Sequence, residues 1–187
     1  MLGIMEESWF RKMFWPAPES APAPAPLDLG CSDAEGQFNL GLQFAAGAGT
    51  AQDYGQAAAW YRKAAEQNHA LAQCNLGVMY AQGQGVVRDA AQSAVWFGRA
   101  AALGDAGGQY HMGRNRERAS MDGLPAEAPE ARIEAYKWFQ LSAAQGYADS
   151  EGAYAMLTFK MTREDVTEAN QRVRQFLAAR AAQPLLV

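Results

Sequence analysis

Leu76-Gly77-Val78-Met79-Tyr80-Ala81-Gln82-Gly83-Gln84-Gly85-Val86-Val87-Arg88-Asp89 is a helix face, a glycine-rich turn and a helix start, in that order. Leu76, Gly77, Tyr80 and Ala81 share one side of a helix, Gly83 and Gly85 end it, and Asp89 stands where an N-cap belongs, ahead of Gln92-Ser93-Ala94-Val95-Trp96. The same pattern is written 36 residues earlier, as Leu40-Gly41-x-x-Phe44, Gly47-x-Gly49, Asp53 and Trp60-Tyr61. The two units agree at about 14 of 36 positions, and these are the positions that a packed helix pair constrains. A third copy follows from Ala106, with Met112-Gly113 and then Trp138-Phe139, the latter 42 residues after Trp96-Phe97. An all-α chain of stacked helix pairs is expected. Trp60, Trp96 and Trp138 should pack equivalently between units, each ahead of an alanine pair: Ala64-Ala65, Ala100-Ala101 and Ala143-Ala144.

Glycine inside a helix costs about 1 kcal/mol against alanine. Its presence at 41, 77 and 113 therefore implies a neighbour that leaves no room for a Cβ. Unit three lacks the Gly-x-Gly turn, has Arg116 where Tyr80 stands in unit two, and carries six extra residues around Ser120 to Pro129. Gly123, Pro125 and Pro129 mark that stretch as an irregular loop. A degenerate fourth unit begins at Ala148, with Tyr154-Ala155 in the Leu-Gly slot. Thr162-Arg163-Glu164-Asp165 then opens a last helix with Val166, Ala169, Val173, Phe176 and Leu177 on one face. Arg172, Arg174 and Arg180 fall toward its end and read as a solvated face complementing the helix dipole.

Leu-Gly-x-x-Tyr, Gly-x-Gly-Val, Asp, Trp-Tyr/Phe-x-x-Ala-Ala and a closing glycine together resemble the SEL-1-like repeat, a relative of the tetratricopeptide repeat. The resemblance covers about 34–148 and is strongest in unit two. It implies a right-handed α-solenoid over 31–181, with units at about 34–69, 70–105 and 106–147 and a capping region at 148–181. It also implies a non-catalytic adaptor that binds another protein or peptide. A hydrolase or cell-wall-active accessory protein is the alternative, since some disulfide-rich secreted relatives are linked to β-lactam hydrolysis.

Much of the 49% hydrophobic content is alanine, which suits close helix packing. A net charge of −4 gives no reason to expect nucleic acid. With two cysteines, Cys31 and Cys74, there is no disulfide framework, and Cys74 reads as a small reduced core residue. No signal peptide and no apolar run of spanning length are visible, so a cytoplasmic chain without a transmembrane segment is expected. Only two histidines are present, without metal-ligand spacing, and the Gly-x-Gly pairs end helices instead of following strands. No catalytic set, metal or cofactor is expected.

Residues 1–15 form an amphipathic pattern dense in aromatics, and 16–30 are a Pro/Ala-rich linker that should run extended, up to ~3 Å per residue. Trp9, Phe10, Met13 and Phe14 either cap the repeats or dock to a partner; contact with a membrane surface is the weaker third reading. In the repeats, stepping 100° per residue away from the Leu-Gly face defines a candidate binding wall on the first helices. In unit one it holds Glu35, Asn39, Leu42, Gln43 and Ala46; in unit two Leu71, Asn75, Val78, Met79 and Gln82; in unit three His111, Arg114, Asn115 and Arg118. Asn39, Asn75 and His111 would make one row. Its amides can hold a peptide backbone, Val78 and Met79 an apolar residue, and Arg114 and Arg118 a carboxylate.

Overall fold

The computed structural model describes residues 31–124 and 126–182, which form eight helices and no strand. The helices are α1 (Ala34–Ala46), α2 (Tyr54–Glu66), α3 (Ala70–Gln82), α4 (Ala90–Ala102), α5 (Ala106–Asp122), α6 (Ala128–Ala143), α7 (Ser150–Thr158) and α8 (Arg163–Ala182). Helices α1 and α2, α3 and α4, and α5 and α6 form three hairpins, and each hairpin packs on the next through α2 against α3 and α4 against α5. This is an α-solenoid.

Each hairpin closes on its glycine. A Cβ added at Gly41, Gly77 or Gly113 would lie 2.5, 2.7 or 2.5 Å from the ring of Tyr61, Phe97 or Phe139, the aromatic one residue after the repeat tryptophan. Backbone and ring are thus in direct contact, as the costly mid-helix glycines imply. Asp53 and Asp89 accept N-capping hydrogen bonds from Gln56 N–H, and from Ala91 and Gln92 N–H, respectively. Gly47 and Gly83 end α1 and α3 in the left-handed conformation. Gly85 (φ 65°) has a second reason to be glycine: a Cβ there would collide with the Tyr54 carbonyl, because the turn of unit two rests on the start of α2.

Buried glutamines join the units. Gln73 and Gln109 are each 1% exposed, and their amides donate to the carbonyls of Ala65 (2.9 Å) and Ala101 (3.5 Å) in the preceding unit. The first of the series, Gln37, donates to Ser32 and Cys31 carbonyls instead. Its oxygen accepts from Gln67 at the close of its own unit (2.9 Å), and that of Gln109 accepts from Gln145 (2.9 Å). The apolar core is continuous with this ladder: Tyr61, Ala64, Leu76, Met79 and Trp96 pack across units one and two, and Cys74, Val78, Phe97, Ala100 and Met112 across units two and three. Cys74 is a free, buried thiol, pushed well above its ordinary pKa by burial and the Asp105 carboxylate.

Four expectations are corrected. The extra residues of unit three are largely helical: α5 runs on to Asp122 and α6 starts at Ala128 with Pro129 in its first turn, leaving only a short connection. Trp138 is half-buried, whereas Trp60 and Trp96 are buried under Lys63 (3.8 Å) and Arg99 (4.7 Å) one turn on. Leu141 fills that place after Trp138, whose ring meets Lys137 and Phe176 instead. The counterpart of Ala64 and Ala100 is Ser142, not Ala143: it is fully buried, with its hydroxyl bonded to the Ala106 carbonyl (2.7 Å) and to Ser150 (2.8 Å). Finally, Arg172 and Arg180 are not simply solvated. Arg172 pairs with Glu130, Glu134 and Glu168, and the Arg180 guanidinium lies against Gly104, so α8 leans on α6 and reaches back to the end of unit two. The expected start of α8 is present, with Thr162 and Asp165 capping one another reciprocally.

Candidate partner-binding surface

The first helices do not present one continuous wall. On α1, Glu35, Asn39 and Ala46 are exposed and Leu42 and Gln43 half-buried. Asn39 donates to Glu35 (3.4 Å), whose second oxygen lies 3.0 Å from His69 Nε2. Since His69 Nδ1 accepts the N–H of Ala72 as the cap of α3, Nε2 carries the proton and donates to Glu35.

In unit two the expected row is broken. Asn75, Val78 and Met79 are buried at 8%, 5% and 3% exposure. Asn75 bonds the Tyr61 hydroxyl, Val78 packs with Phe97 and Ala100, and Met79 packs with Leu76 and Trp96. A helical wheel with one core face counts only the partner in the same hairpin, whereas α3 is gripped by α2, α4 and α5 at once. Leu71 and Gln82, at its two ends, are exposed.

On α5, His111 stacks on Phe97 (4.1 Å between centroids, 14° between planes) and meets Tyr110 edge-on. Burial, aided by the nearby Arg114, pushes its pKa down to about 4, so it is neutral near pH 7. Arg114 and Arg118 are exposed and Asn115 is half-buried. Arg114 donates to the Tyr110 hydroxyl (3.2 Å) and faces Glu117 at 3.5 Å. The structure thus brings Arg114 and Arg118 to one accessible helix, leaves Asn39 and Gln82 reachable elsewhere and Gln43 only in part, its amide oxygen being buried, and takes Asn75, Val78 and Met79 out of the surface. Trp9, Phe10, Met13 and Phe14 lie outside the described residues.

One residue was missed. Arg116, also exposed, occupies the slot of Tyr80. In unit two that slot is tied to the preceding hairpin by Arg62, which donates to the Tyr80 hydroxyl (2.7 Å). The counterpart of Arg62 one unit on is Gly98, so the cation has moved from the second helix of one unit to the first helix of the next. Among the described residues, neither Arg116 nor Arg118 forms an ion pair. The exchange could have been found by reading positions 62, 80, 98 and 116 together.

Among the described residues no group of three His, Cys, Asp or Glu side chains could hold a metal ion, and no helix is long and apolar enough to cross a membrane. Stacked hairpins with exposed polar helix faces define a helical-repeat protein. The Sel1 repeat model matches residues 34–69, 70–105 and 106–147. The chain belongs to the Sel1 repeat family, whose members are generally protein–protein interaction scaffolds. It is similar to the crystal structure of c5321, a protective antigen present in uropathogenic Escherichia coli strains and displaying an SLR fold, at 39% identity and a TM-score of 0.55. That match covers 63% of this chain and 24% of the antigen. A Sel1 repeat protein from Oxalobacter formigenes is 28% identical, with a TM-score of 0.55, over 67% of this chain and 48% of that one. The chain therefore spans about a quarter of the first and about half of the second. Comparison with curated proteins finds no match.

Proposed function

We propose that the chain is a non-catalytic adaptor that holds an acidic segment of another protein along α5. The observation that carries this is Arg114 and Arg118, both exposed about one turn apart on one side of α5, where Glu117 pairs with Arg114 and leaves Arg118 without an ion pair among the described residues; exposed Arg116 projects from the other side of the helix. Exposed guanidinium groups on a rigid helix favour a carboxylate-bearing partner, while the net charge of −4 disfavours a polyanion such as nucleic acid. Neutral His111 beside them supplies a flat ring edge without competing charge. Asn39, Gln43 and Gln82 are the adaptable polar contacts for the rest of such a segment, whereas Asn75, Val78 and Met79 hold the hairpins together.

Affinity capture of partners by the full chain, compared with a chain carrying Arg114→Glu and Arg118→Glu, tests the reading. Exposed charges change folding stability little, so the variant should keep its thermal midpoint and lose the partner. An undiminished set of partners would sink it.

A further inference from the structure

A second cationic site lies away from α5, at the turn of unit two. Arg62, Tyr80, Val86, Val87, Arg88 and Gln92 line an open recess of about 720 Å³. Arg62 reaches it from α2 of the preceding hairpin and is steered by its hydrogen bond to the Tyr80 hydroxyl, which leaves most of its N–H groups unused. Arg88 approaches from the turn itself. Among the described residues neither arginine forms an ion pair. The one carboxylate that lines the recess, Asp89, is already engaged in capping α4 through the N–H groups of Ala91 and Gln92. Beside the two cations, Val87 is 87% exposed and offers an apolar contact.

The repeat itself supplies a control. The turn of unit one has the same glycine pair and the same capping aspartate, but Ala51 and Gln52 stand where Val87 and Arg88 stand. There the Gln52 amide closes the turn onto the Ala45 carbonyl (2.7 Å) and the Tyr54 hydroxyl (3.0 Å). The turn therefore folds without an arginine or an exposed valine, and folding does not account for either. In unit three the turn is replaced by the longer α5, and Gly98 stands in place of Arg62. Both arginines and the valine meet only at the junction of units one and two.

We infer that this recess binds a peptide carboxylate flanked by an apolar side chain, the carboxylate between Arg62 and Arg88 and the apolar group on Val87. The guanidinium pair suits a planar two-oxygen anion, and Gln92 can hydrogen-bond the adjoining peptide group. The site is independent of the α5 surface and stands or falls without it.

The test is titration of the full 15N-labelled chain with the peptide acetyl-Asp-Leu-Asp-Leu-Glu, with its Asn/Gln counterpart bearing a C-terminal amide, and with inorganic phosphate. Saturable shifts should centre on the amides of Val87 and Arg88 and on the Arg62 side chain. The amide counterpart should bind at least about tenfold more weakly, consistent with loss of charge-assisted hydrogen bonds. Arg88→Glu and, separately, Arg62→Gln should abolish the response without changing the rest of the spectrum. Equal shifts from the amide peptide or from phosphate would overturn the assignment, as would shifts confined to Arg114–Arg118 or no response at the recess. If Arg62→Gln disturbs the Tyr80 region, Arg88→Glu and Val87→Asp decide alone.

Discussion

Gln73 has an amide oxygen that is buried without a donor, while the equivalent oxygens of Gln37 and Gln109 are each met by a glutamine closing the same unit. The cause is a single position. Gln67 and Gln145 close units one and three, but Leu103, partly exposed, closes unit two. An orphaned buried acceptor costs about 1–3 kcal/mol, so Leu103→Gln should restore the missing bridge. We expect a gain of about 1 kcal/mol, or about 2–4 °C in the thermal midpoint. A lowered midpoint would show that the apolar contacts of Leu103 outweigh the bridge. His111 makes a second prediction at this scale. Its pKa is about 4 when folded, against 6.5 for the free side chain. Between these values the unfolded chain takes up a proton that the folded chain refuses, so stability is fully present above pH 6.5 and declines as pH falls toward 4. Urea midpoints at pH 7 and pH 5 should differ less for His111→Phe, which keeps a ring on Phe97, than for the parent chain. Equal losses would remove His111 as the cause.

The last helix shows how an element is held by charge as well as by packing. Burial alone would raise the Glu134 pKa, but hydrogen bonds and charge from Lys137 and Arg172 bring it below the ordinary value. Ala169 packs into the apolar core with Tyr136 and Phe139, and Phe176 meets Trp138 edge-on. Arg172→Gln leaves Glu134 with Lys137 alone and should loosen α8 by about 1 kcal/mol, the upper range for exposed pairs. Amide hydrogen exchange should speed up in α8 and leave α1–α4 unchanged. Unaltered protection of α8 would mean that its apolar face suffices. What could be read in advance at this scale divides along a physical line. The glycine–ring contacts, the aspartate caps and the turn glycines were legible, because each needs one residue type at one place and the repeat states it more than once. The course of residues 120–129 was not, since Gly123 and Pro129 are as compatible with a helix end and a helix start as with a loop. The wall on α3 was not either, because the hairpin partner alone leaves Val78 and Met79 on an open face, whereas a helix enclosed by several neighbours is apolar on most of its sides, and Ala72 to Met79 are buried without a break. The glutamine ladder was visible in the alignment at 37, 73 and 109, but polar residues on a helix ordinarily read as solvated.

Across the whole molecule, a glycine on a ring closes each of the three hairpins and a buried amide on a carbonyl joins them twice, and two places depart from the repeat by adding arginines. At the junction of units one and two, Arg62 and Arg88 are added to a turn that folds without them in unit one. In unit three, α5 carries Arg114, Arg116 and Arg118 at the positions that Val78, Tyr80 and Gln82 hold in unit two, and all three are exposed. The repeats thus divide into positions that hold hairpins together and positions free to meet a partner, and the proposed function assigns the α5 surface to the second group. Site-specific photo-crosslinking from that surface is the most direct test. A photoreactive residue replacing Arg118 in the full chain, expressed in its native cell, should capture a discrete partner, and the same residue at exposed Ala59 on α2 should not. Capture from position 59 with none from position 118 would contradict the assignment of α5 as the binding surface.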